Sequence, residues 1–95
     1  MINKITSYKI AVNALLNNDI DTFVFVISNM GLEQTNSRGE TLLWIAAQEG
    51  YTNFAELLLK SGANINTTDK DGWTPLHIAV QNNHTNMVRL LLQYN

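Results

Sequence analysis

Imidazole is the side chain best suited to metal ligation or proton transfer near neutral pH, and the chain carries two, His77 and His84. They stand seven residues apart with a helix break expected between them, so they lack the i, i+4 pairing of a helical zinc site. Cysteine is absent, which removes thiolate-ligated zinc, iron–sulfur centres and disulfide scaffolds. Asp69-Lys70-Asp71-Gly72 has the outline of a calcium loop. With Gly72 as the sixth residue, however, Thr67 falls first and Ile78 twelfth, where Asp and Glu are needed. A solvated turn is the better reading. The carboxylates (Asp19, Asp21, Glu33, Glu40, Glu49, Glu56, Asp69, Asp71) are dispersed, and no two fall in a segment expected to be both buried and concave. Ser7, Ser28, Ser37 and Ser61 lack a nucleophile-elbow motif, and no glycine-rich loop could cradle phosphate. No catalytic residue, metal ligand or cofactor is expected. The chemistry on offer is recognition.

The elements that must present such a surface follow from periodicity. Gly39 to Gly62, written above Gly72 to Asn95 at an offset of 33, gives eleven identities in 24 pairs. They are Gly39/Gly72, Thr41/Thr74, Leu43/Leu76, Ile45/Ile78, Ala46/Ala79, Gln48/Gln81, Thr52/Thr85, Asn53/Asn86, and Leu57, Leu58, Leu59 with Leu90, Leu91, Leu92. Asp69, Lys70 and Asp71 ahead of Gly72 are turn chemistry. Thr74 then Pro75 reads as an N-cap with proline at the first helical position, opening a short helix to about Asn82. Asn83 ends it, because asparagine tolerates the left-handed backbone that Gly50 supplies one unit earlier. A second helix from about Thr85 carries Met87, Val88, Leu91 and Leu92 on one side. In the middle unit the matching helix ends at Gly62.

Asp71-Gly72-Trp73-Thr74-Pro75-Leu76-His77-Ile78-Ala79 resembles the signature of the ankyrin repeat, and Gly62-Ala63-Asn64-Ile65-Asn66 resembles the segment that closes one. The period matches as well. The resemblance implies an all-α solenoid of about three stacked helix pairs joined by β-turn fingers. The expected units are a divergent N-terminal cap at about 9–35, a complete repeat at about 36–68 and a C-terminal repeat at about 69–95. In the first unit Ala14 aligns with Ala46 at 32, and Gly31 with Gly62 at 31. A one-residue insertion near Met30 would reconcile the two. No glycine turn precedes Ile10. The resemblance further implies that His77 bonds across the turn to hold neighbouring fingers. Trp44 stands in its place one unit earlier, either as hydrophobic packing or as a contact aromatic. Leu43, Ala46, Ala47, Leu58 and Leu59 are expected to be buried against both neighbours.

A solenoid of this kind implies a protein partner held by finger tips and the concave inner-helix face. Carried over by position, the contact residues are Ser37, Arg38, Glu40, Gln48 and Glu49 in the middle unit. Lys70, Asp71, Trp73, Gln81 and Asn82 follow in the last, and Asn17 in the first. Trp73 and Arg38 are the best anchors by residue type, although Trp73 could instead cover the apolar edge of its own finger. Six basic against eight acidic residues give a net charge of −2, and no nucleic-acid or lipid partner is expected from that. The longest apolar run, Phe23 to Ile27, is far short of a membrane span, and residues 1–7 do not read as a leader, so an intracellular location is expected. Asn66-Thr67-Thr68 and Asn83-His84-Thr85 match the glycosylation pattern and read as accidental in that setting. The alternative function is assembly, as a homodimer or within a longer array, through Met87, Val88, Leu91 and Leu92 near the end of the chain.

Overall fold

The structure, a computed structural model, describes residues 3–95. Met1 and Ile2, part of the stretch read for a leader, lie outside the described residues. Six helices follow in order: α1 (Lys4–Leu16), α2 (Ile20–Ile27), α3 (Leu42–Glu49), α4 (Thr52–Lys60), α5 (Pro75–Gln81) and α6 (Thr85–Gln93). They form three antiparallel pairs, and each inner helix (α1, α3, α5) packs on the next. Among the described residues no strand occurs, and the sole β-bridge joins Thr35 to Thr41 across the first finger. No helix among them is long and apolar enough to cross a membrane.

Local chemistry sets the helix ends. Thr41 and Thr74 cap α3 and α5, their hydroxyls accepting from the N–H of Trp44 and His77 at 3.1 and 3.2 Å. Asp19 caps α2, and the Thr22 hydroxyl and then the Thr22 N–H hold its carboxyl below the usual range. Asn18, Gly50 and Asn83 turn out of the inner helices at φ 57, 75 and 60. The left-handed position is thus filled by asparagine twice and by glycine once.

One core runs through all three pairs. Leu43, Ala46, Ala47, Leu58 and Leu59 are buried as expected, and Phe23 meets Phe54 edge-on at 4.9 Å between ring centroids. Two features set the first unit apart from the second. Ile20 and Thr52, which open the outer helices, are 32 apart, whereas Ile27 and Lys60, which close them, are 33 apart. α2 is therefore one residue shorter than α4, and Gly31 lacks the left-handed backbone that Gly62 shows. The inner helix of this unit begins ahead of residue 9. With no glycine to break it, α1 runs back to an Asn3 cap whose side chain accepts from Thr6 N–H at 2.8 Å. Its extra turns stand where later repeats carry a finger.

Candidate functional site

The fingers are built by one side chain each. Asn36 Oδ1 accepts from the N–H groups of Arg38 (3.0 Å) and Glu40 (3.1 Å). Thirty-three residues on, Asp69 Oδ1 accepts from those of Asp71 and Trp73, both at 2.9 Å. Gly39 and Gly72 close the turns at φ 79 and 86, a backbone that side chains with a Cβ resist. The fingers are also tied to each other, since Lys70 N–H donates to the Arg38 carbonyl at 3.0 Å. A Cβ on Gly39 would lie 3.1 Å from that same nitrogen, so glycine permits the approach.

This scaffold sorts the expected contact residues into two rows. Ser37, Arg38, Lys70, Asp71 and Trp73 are exposed along the finger tips. Asn17, Gln48, Glu49, Gln81 and Asn82 lie at the C-terminal ends of the inner helices. A helix of eight residues such as α3 separates the rows by about 12 Å. Asn82 is engaged within the chain, its amide donating to the Gln48 carbonyl at 3.2 Å.

Glu40 must be corrected. It is buried, its carboxylate accepts from Asn36 Nδ2 at 2.8 Å, and its carbonyl accepts from the Tyr8 hydroxyl at 2.7 Å. Tyr8 comes from the extended α1 and closes over Glu40. Burial first, and then the Glu40 charge, push the Tyr8 phenol up to about 12. Met87 and Leu91 must also be corrected as association residues. Both are buried in the chain's own core, while Val88 is half-buried and Leu92 exposed.

The imidazoles act locally. His77 Nδ1 accepts from Thr74 N–H at 3.2 Å and completes a capping box inside its own finger, so it does not span neighbouring fingers. Trp73 rests edge-on against it at 5.9 Å while keeping an exposed side. Trp44, in the matching place, is buried packing, and its Nε1 has no partner. The seam between the second and third repeats is carried by the other imidazole, whose residue type and spacing give no sign of it. His84 Nε2 donates to the Gln48 carbonyl at 2.9 Å, and its ring sits where a Cβ on Gly50 would stand only 2.6 Å from Nδ1. Glycine at 50 was read as a helix stop, and it is also the space for that ring.

Between α1 and the first finger lies a groove that residue type alone does not reveal. About 520 Å³ is lined by Ile5, Tyr8, Lys9, Thr35, Asn36 and Ser37. A depression of about 220 Å³ shares Tyr8, Lys9 and Asn36 and extends the groove to Val12, Asn13 and Ile45. The missing glycine turn before Ile10 was the available signal, because a helix that runs on supplies this wall. Among the described residues the one ion pair is Lys60–Glu56, so Lys9, Arg38 and Lys70 meet this groove and the finger tips without a bound carboxylate.

In comparison with known proteins, the family model described as ankyrin repeats matches residues 9–95 in three copies. Among curated proteins none matches the chain.

Proposed function

The chain belongs to the ankyrin repeat family, whose members are in general protein–protein interaction modules and typically not enzymes, and from this premise we propose that it binds a protein partner on its concave side. The observation that carries the reading is the groove between α1 and the first finger. At about 520 Å³ it has room for one large apolar side chain together with its flanking backbone, and the Tyr8–Glu40 hydrogen bond ties α1 to the first finger. Lys9 in its wall and Arg38 and Lys70 at the tips favour a segment that pairs this apolar side chain with a carboxylate. Trp73 adds an exposed aromatic flank for the same segment. The row at Asn17, Gln48, Glu49 and Gln81 lies about 12 Å away and would serve as rim.

A displayed peptide library selected on the chain would supply ligands, and titration calorimetry would read their affinity. Asn13→Arg places a long side chain in the depression that adjoins the groove and should weaken binding tenfold or more. Arg38→Ala and Trp73→Ala should each weaken it by a smaller factor. Ligands that bind the Asn13→Arg variant as well as the wild type would refute the groove as the site.

A further inference from the structure

Equivalent positions in the second and third repeats differ in exposure in one systematic way. Val80 is 56% exposed, whereas its equivalent Ala47 is 0% exposed. Leu92 is 54% exposed, and Leu59 is 8%. Leu76 and Val88 are half-buried where Leu43 and Ala55 are fully buried. What differs is the neighbour. The third repeat lies against this face of the second, and no repeat among the described residues lies against this face of the third. α5 and α6 therefore present an apolar surface with the register of an internal repeat seam.

The first repeat presents the other half of such a seam. Across the α4/α6 groove, Leu90 and Gln93 face back toward Thr52, Asn53 and Glu56. Leu90 is 9% exposed there, and Leu57, at the same register one repeat earlier, is half-buried. The equivalent position in α2 is Phe25, and it is 71% exposed. On the inner helices the backward-facing position is filled by Pro75 and Leu42, both fully buried, while Ile10 in α1 is half-buried.

We propose that the chain stacks head to tail with a second copy. Val80 and Leu92 of one copy meet Phe25 and Ile10 of the next, continuing the repeat seam from molecule to molecule. The surface is separate from the concave groove, so the proposal stands independently of the partner-binding reading. The two contacting faces differ, so association is heterologous and open-ended, not a closed two-fold dimer. Covering these side chains removes apolar area from water, which is the driving force.

Sedimentation velocity over a concentration series tests this. The wild-type chain should form dimers and then longer species as concentration rises. Leu92→Glu and Phe25→Glu place a charge in the seam and should each weaken association tenfold or more. Each leaves one face intact, so mixing the two variants should yield a dimer and nothing larger. Both sites are exposed in the single chain, and circular dichroism melting should match the wild type. Val80→Asp is a second probe of the C-terminal face. A wild type that stays monomeric throughout overturns the proposal. So does loss of association in Leu92→Glu but not in Phe25→Glu, since that pattern means the C-terminal face pairs with itself. Mixed variants that remain monomers overturn it as well.

Discussion

The second and third repeats share eleven of 24 aligned residues, yet the same leucine is core in one and surface in the other. Leu59 and Leu92 occupy one register position at the end of the outer helix. Ala47 and Val80 occupy another on the inner helix. The difference teaches that burial in this architecture is a property of the seam. A repeat supplies an apolar face, and only the next repeat turns that face into core. Sequence similarity between repeats therefore predicts shape well and energetic weight poorly.

The leucine pair should show the largest contrast. Leu59→Ala leaves a cavity between α4 and its neighbours and should cost about 2–5 kcal/mol. Leu92→Ala removes the same atoms from a side chain that is already wet, and should cost less than about 1 kcal/mol. Urea denaturation monitored by circular dichroism reads both, at protein concentrations where the chain is monomeric. Equal losses would mean that Leu92 is covered, and would break the comparison.

The alanine pair inverts the test. Ala47→Val puts the third repeat's residue into the second, where no space remains between α3 and α5. Overpacking there should cost about 1–3 kcal/mol. Ala46→Leu, one position earlier and equally buried, should fall in the same range. Val80→Ala should stay within about 0.5 kcal/mol, because nothing presses on Val80. Thermal melts of the three variants rank them.

The helix exits sharpen the comparison at smaller scale. Gly50 and Asn83 both sit in the left-handed region, at φ 75 and 60. Gly50→Ala adds backbone strain and drives a methyl into the His84 ring, displacing it from the Gln48 carbonyl. A loss of about 1–2 kcal/mol is expected. Asn83→Gly keeps the backbone permitted and has no ring above it, so a change of a few tenths of a kcal/mol is expected. His84→Ala combined with Gly50→Ala should lose less than the sum of the two, since both act on one contact.

These contrasts also mark what was readable from the chain alone. The caps at Thr41 and Thr74, the asparagine and glycine exits and the closing Gly62 are local signals, written within four residues of where they act. They place both ends of α5 and the start of α6 to within a residue. Glu40 was misplaced because its burial depends on Tyr8, 32 residues earlier in a helix longer than the repeat pattern provides. His84 was left without a role because its partner is a backbone carbonyl, which no residue type announces. Met87 and Leu91 were read as exposed because a helix pattern shows an apolar stripe without saying which part of it the chain's own neighbours cover. The contacts of Glu40 and His84 run between repeats, and a periodic pattern describes only one repeat at a time.

The second repeat is covered on its other side too, and Tyr8 gives the way to measure that seam. Its hydroxyl donates to the Glu40 carbonyl from a buried position, and its phenol is pushed up to about 12 from an unfolded value near 10. The folded chain thus holds this proton more tightly than the unfolded one. Stability drawn from neutral Tyr8 is complete below about pH 10 and is lost as pH rises from there through about 12. Ultraviolet absorbance of the phenolate should show a phenol ionising near pH 12, in step with loss of helical signal. In a Tyr8→Phe variant that late step should vanish. The variant should also melt lower at neutral pH, by about 1 kcal/mol of stability, because the Glu40 carbonyl loses a donor. If the folded wild type shows no late-ionising phenol, then α1 does not close over the first finger, and the second repeat is as open toward the first as the third is on its uncovered face.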